Sequence, residues 1–161
     1  MAGVENQLPR RKAIRLPAEC YTGGDHFLVT ICTEGREQRL NGQVRSTVVR
    51  FLVKDSADND GPVFGWVVMP DHVHVLLAGS RDAVRWVQTF KAAVTSSLRK
   101  KKLDIAWQRS FHDRGIRRNE NLEFVGRYML ENPVRAGLCN RFDDWPWSYV
   151  AGMKEAGVKD E

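Results

Sequence analysis

Apolar residues along this chain change their period several times, and each change marks an element. His26 to Thr33 (HFLVTICT) is rich in β-branched and aromatic residues and predicts a strand. From Gln43 to Lys54, apolar residues fall at Val44, Val48, Phe51 and Leu52, which is helical spacing. The polar turn DSADNDGP leads into Val63 to Met69 (VFGWVVM), a second strand. Pro70 and Asp71 make a tight link to a third, His72 to Gly79 (HVHVLLAG), so these two are expected to be antiparallel neighbours. Val84, Val87, Phe90, Val94 and Leu98 recur at three- and four-residue steps and predict a long amphipathic helix, closed by the Arg99–Lys102 run. A short strand is expected within Phe111 to Ile116. Asn119 stands as an N-cap before Glu120 and Glu123, opening a helix that runs to about Asn132, where Pro133 stops it. The closing WPWSYVAGM should pack its two tryptophans and then fray.

That order, strand-helix-strand-strand-helix-strand with one more helix, implies an α+β fold with a ferredoxin-like antiparallel sheet. Side chains alternate on a strand, so His72, His74, Leu76 and Ala78 share one face while Val73, Val75 and Leu77 share the other. The valine-leucine face belongs under the two amphipathic helices. The C-terminal helix, which carries Tyr128, is then left to cover the histidine face. Residues 1–25, punctuated by Pro9, Pro17 and Gly23-Gly24, read as a basic N-terminal arm, residues 26–150 as the folded domain and 151–161 as a flexible tail.

Composition narrows the class. Hydrophobic residues make up 42% of the 161, enough for a core and against disorder outside the ends. No apolar stretch approaches the roughly 20 residues of a membrane span, and the N-terminus lacks the apolar run of a secretory signal. A soluble cytoplasmic protein is expected. Cys20, Cys32 and Cys139 are odd in number and form no CxxC pair, which indicates neither a zinc knuckle nor a disulfide framework. The net charge of +5 gathers at Arg10, Arg11, Lys12 and Arg15, at Arg99 to Lys102, and at Arg109, Arg114, Arg117 and Arg118. Such clusters suit a polyanion, though on charge alone a solvated face serves equally well.

The candidate chemistry sits on the histidine face. Two imidazoles one residue apart on a strand can converge on one cation. Alone, a His-x-His is often plain polarity. Tyr128 and Asn132, one helical turn apart, would bring a phenol and an amide oxygen to the pair if their helix docks there. Taken singly, Tyr128 could be a packing aromatic and Asn132 a helix C-cap.

Several linked motifs in order resemble one family. His72-Val73-His74 matches the histidine-hydrophobe-histidine motif of HUH endonucleases, and Met69-Pro70-Asp71 with Val75-Leu76-Leu77 resembles its surroundings in single-tyrosine transposases. Tyr128 to Leu138 (YMLENPVRAGL) is similar to their nucleophile helix, and Trp145-Pro146-Trp147-Ser148 to their closing segment. Arg15-Leu16-Pro17 and FLVTICT resemble the opening of the subgroup associated with repetitive extragenic palindromes. The resemblance spans about residues 10 to 150.

It implies a metal-dependent nuclease and strand transferase acting on single-stranded DNA at hairpins through a 5′-phosphotyrosine link, in a bacterial, nucleoid-associated setting. His72 and His74 would be metal ligands, Tyr128 the nucleophile and Asn132 the third ligand, where many relatives outside this subgroup carry glutamine. The neutral, oxygen-accepting set suits Mg²⁺ or Mn²⁺. Arg10, Arg11, Lys12, Arg15, Arg99, Lys100 and Lys101 would grip stem and phosphates, and Trp107, Arg117 and Arg118 would meet unpaired bases. His112, which invites reading as another ligand, is taken as a DNA contact or plain polarity. A homodimer is compatible, since dimeric relatives can build each site from two chains. Two other readings compete: a non-catalytic DNA-binding descendant of a transposase, and a His-x-His hydrolase of small molecules. The intact His72, His74 and Tyr128 set argues against the first, and the basic surface against the second.

Overall fold

The period-two stretches at the centre of the chain become the centre of a sheet. A computed structural model of the protein describes residues 26–78, 82–116 and 121–157. Its strands are β1 (His26–Cys32), β2 (Val63–Val68), β3 (His72–Leu77), β4 (His112–Ile116) and β5 (Ser148–Val150). Its helices are α1 (Gly42–Lys54), α2 (Ala83–Lys100), α3 (Leu122–Leu130) and α4 (Asn132–Arg135). The sheet order is β4-β1-β3-β2-β5, and every pairing is antiparallel. The first four strands form the ferredoxin-like core expected from the element order.

Register decides which residues share a face. Cys32 and Thr30 of β1 stand opposite His72 and His74, and His112 of β4 stands opposite Thr30. Val67 of β2 stands opposite both His74 and Ser148 of β5. The other face holds Phe27, Val29, Ile31, Trp66, Val73, Val75 and Leu77, all buried with Val48 and Leu52 of α1 and Val87, Phe90, Val94 and Leu98 of α2. Each such side chain withdrawn from water contributes about 1.5–3 kcal/mol, so this layer is the main core.

The histidine face carries a second, smaller core. Val67 and Leu76 of the sheet pack there with Val125, Met129 and Leu130 of α3, and with Trp145 and Val150. Glycines set how closely the helix approaches. A Cβ on Gly65 would lie 2.9 Å from Met129 Cε and 3.1 Å from the Tyr149 carbonyl oxygen, and one on Gly126 would lie 3.0 Å from Val150 Cγ1.

Three details depart from the sequence expectations. The N-cap of α3 is Asn121, whose Oδ1 accepts from the backbone N–H of Glu123 and Phe124 at 2.9 and 3.2 Å; the expected cap, Asn119, lies outside the described residues. Pro133 does not mark the stop: α3 ends earlier, at Leu130, and the proline sits in the first turn of α4, where a missing N–H costs nothing. The closing segment does not simply fray after its tryptophans but adds β5 to the sheet. Beyond it, Lys154 Nζ donates to the carbonyl oxygen of Trp145 at 2.8 Å and to Ser148 Oγ at 2.9 Å, tying down a turn within the expected tail.

Candidate functional site

His72 and His74 point from β3 to the same side of the sheet, and their Nε2 atoms are 3.1 Å apart. Each ring is held at its other nitrogen. His72 Nδ1 lies 2.6 Å from Asp71 Oδ1, and His74 Nδ1 lies 3.0 Å from Thr30 Oγ1. A carboxylate accepts only, so His72 carries its proton on Nδ1 and presents a lone pair at Nε2. The Thr30 hydroxyl can donate or accept, so His74 is free to adopt either tautomer. As the protein stands alone, His74 Nε2–H can donate to His72 Nε2. With His74 in the other tautomer, both Nε2 atoms carry lone pairs 3.1 Å apart.

The electrostatics favour neutral rings. Burial pushes His72 below the ordinary imidazole range, and the neighbouring Asp71 only partly offsets it. Burial, with the positive charges at His72, Arg36 and Arg135, pushes His74 down to about 3. Both imidazoles are therefore uncharged at neutral pH and available as ligands. Burial acts to raise the Asp71 carboxyl, but hydrogen bonds from His72 and Arg36 outweigh it and hold the group ionised well into acid.

The pair fits a divalent cation. Neighbouring ligands around an octahedral ion with bonds near 2.1 Å stand about 3 Å apart, close to the 3.1 Å between the two Nε2 atoms. Asp71 and Thr30 occupy the outer positions that orient metal-bound histidines. Among the described residues there is no cluster of three or more His, Cys, Asp or Glu that could hold a metal ion. A cation here would complete its shell with an amide, water or phosphate oxygen.

Tyr128 lies on the outer side of α3, 54% exposed, while Val125 and Met129 of the same helix are buried against the sheet. Arg135 folds back from α4 onto it. The guanidinium sits 3.9 Å from the centre of the phenol ring, and Nη2 donates to the Tyr128 carbonyl oxygen at 2.6 Å. The same guanidinium is close enough to His74 to disfavour its protonation. Arg135 thus holds the tyrosine ring and adds to the positive field at His74.

Asn132 is not on the same helix as Tyr128 but opens α4. Its Nδ2 donates to the Met129 carbonyl oxygen at 3.0 Å, which leaves the side-chain oxygen as its remaining ligand atom. Arg99 and Lys100 end α2, and Lys101 follows and donates to Thr47 of α1 at 3.1 Å. This basic run belongs to the helical layer, on the opposite side of the sheet from the histidines. Trp107 packs against Phe90 at 6.2 Å between ring centres and is partly buried in the main core. His112 and Arg114 are exposed on β4, on the histidine face. Arg10, Arg11, Lys12, Arg15, Arg117 and Arg118 lie outside the described residues.

Sequence reasoning missed Thr30, Arg36, Asp71 and Arg135 as parts of the site. Asp71, directly before His72, was the most accessible of these, since a carboxylate beside an imidazole is a familiar orienting pair. Arg36 and Arg135 reach the site only through the fold.

Comparison with known proteins gives a consistent answer. The family model described as "Transposase IS200 like" matches residues 25–132. The REP-associated tyrosine transposase of Escherichia coli (strain K12) is 28% identical over 130 residues, which cover 78% of this chain and 76% of that protein. A solved structure of a REP-associated tyrosine transposase bound to a REP hairpin is similar with a TM-score of 0.59 at 25% identity, covering 88% of each chain.

Proposed function

Because the chain belongs to the IS200-like transposase family, we propose that it cuts and rejoins single-stranded DNA at hairpins, with Tyr128 as covalent nucleophile beside a Mg²⁺ or Mn²⁺ site on His72 and His74. The observation that supports this reading most is the pair of neutral imidazoles whose Nε2 atoms meet at 3.1 Å, each held from behind by Asp71 or Thr30. Hairpin DNA as the substrate rests on the solved relative, which is bound to a REP hairpin.

His72 and His74 would hold the cation, and the oxygen of Asn132 would be the third protein ligand. A divalent ion there would supply Lewis-acid polarisation of the scissile phosphate. The phenolic oxygen of Tyr128 attacks phosphorus, forming the Tyr–O–P bond as the P–O3′ bond breaks. The phenol loses its proton and the departing 3′ oxygen gains one, so charge balances. The phosphodiester is conserved as an ester to tyrosine, and a 3′-hydroxyl of another strand can reverse the step without ATP. Arg135, stacked on the ring, limits where the phenol can swing. The exposed Arg114 and His112 lie on the same face and offer contacts to the incoming strand.

The test is a labelled hairpin strand incubated with protein and Mn²⁺, then run on a denaturing gel. A slow-migrating adduct is expected from the natural sequence and none from Tyr128→Phe or His74→Ala. DNA retained without any adduct would replace this reading with the non-catalytic one.

A further inference from the structure

The 3-10 turn Glu34–Arg36 that follows β1 is irregular. Gly35 and Arg36 both adopt left-handed backbone angles, φ 64° and 54°. For Gly35 that conformation is free, but for Arg36 it is disfavoured by its Cβ. The conformation aims the Arg36 side chain back across the end of β1. Its Nε donates to Asp71 Oδ2 at 2.8 Å, and Nη1 reaches Cys32 Sγ at 3.1 Å. The other carboxylate oxygen, Oδ1, takes the His72 Nδ1 proton at 2.6 Å. Arg36 Nη2 also comes within 3.4 Å of His72 Nδ1, but two donors do not bond to each other, so the carboxylate alone joins them. Both Asp71 oxygens are then engaged behind the ring. Asp71 is consequently unsuited to ligate a cation at Nε2, despite being the nearest carboxylate in sequence.

We infer that Arg36 and Asp71 are positioning residues: the guanidinium fixes the carboxylate, and the carboxylate fixes His72 in its Nδ1–H tautomer with the Nε2 lone pair aimed at the cation site. The inference rests on the metal reading proposed above for its consequence, though not for the tautomer itself. Thr30 gives His74 no such fixed instruction, because a hydroxyl both donates and accepts. The pair is therefore asymmetric, with His72 preset and His74 adaptable. The left-handed backbone at Arg36 has a reason in this scheme, since the turn places the guanidinium against the Asp71 carboxylate behind His72.

The experiment has two readouts on the full chain. Long-range ¹⁵N–¹H NMR of the metal-free protein reads the tautomer: His72 is expected as Nδ1–H, and Asp71→Ala is expected to release it to a mixture. Mn²⁺ titration followed by the EPR signal of the free ion reads affinity. Asp71→Ala should weaken binding by about 10–100-fold, the usual effect of losing such an outer partner, and Arg36→Gly by a smaller factor in the same direction. Glycine is chosen because it accepts φ 54°, so the turn survives while the guanidinium is lost. A natural chain that binds no Mn²⁺, or binds it as well after His74→Ala, overturns the metal reading; the tautomer readout then still judges the positioning claim. His72 found as Nε2–H, or Asp71→Ala binding Mn²⁺ like the natural chain while His74→Ala does not, overturns the positioning role.

Discussion

Each imidazole of the histidine pair has one nitrogen engaged and one available, and much of the site's behaviour follows from that. His74 is the more deeply constrained, with its protonation pushed down to about 3 against roughly 6.5 in an unfolded chain. Between those values the unfolded state binds a proton that the folded state refuses, so stability rises with pH across that window. It is fully present above about pH 6.5 and is lost as pH falls toward 3. His74→Gln removes this titration, and urea midpoints measured from pH 7 to 4 should fall less steeply for the variant. An equal slope in both proteins would contradict the buried, neutral imidazole. The His-x-His spacing was legible in the sequence because strand alternation alone puts both rings on one face. Arg36 and Arg135 were not, because neither is near the histidines along the chain.

At the scale of elements, α3 matters most, since it delivers Tyr128 and its position depends on close approach to the sheet. Gly65→Ala would place a methyl 2.9 Å from Met129 Cε and 3.1 Å from a backbone carbonyl that has little freedom to move. The expected cost is about 1–3 kcal/mol by overpacking, read as a lowered urea midpoint, with slower adduct formation as the helix shifts outward. At the other end, Asn121→Ala removes the acceptor of two backbone N–H groups and should cost about 1 kcal/mol, measured by the same unfolding curves. The long helices and the central strands were readable because their apolar periods run unbroken. β5 was not, being only three residues long, Ser148–Val150, and dependent on β2 for its partner. The cap and the end of α3 were misjudged for a related reason: two asparagines compete as caps, and a proline can open a helical turn as well as end one.

For the whole molecule, the sheet separates two faces, with the main helix-covered core on one side and the histidine pair, on the face that α3 also packs against, on the other. The basic run at Arg99 and Lys100 belongs to the core side, remote from the histidines. Its neutralisation to glutamine should therefore spare the chemical step and affect only DNA affinity. The slope of log affinity against log salt should fall by up to about 2 for two lost duplex phosphate contacts, with the adduct rate at saturating DNA unchanged. A large drop in that rate would mean that the strand reaches the site by way of this helix. The ferredoxin-like core and the face of the sheet that α3 covers could be argued from the sequence alone, because element order and strand alternation leave few arrangements. On the proposed reading, the tyrosine on α3 becomes the covalent carrier of the DNA end. The most direct test is mass spectrometry of trypsin-digested protein after reaction with Mn²⁺ and a hairpin strand. Nucleotide mass is expected on the peptide Tyr128–Arg135 and nowhere else; cleaved DNA with that peptide unmodified, or an adduct on a different peptide, would contradict a covalent role for Tyr128.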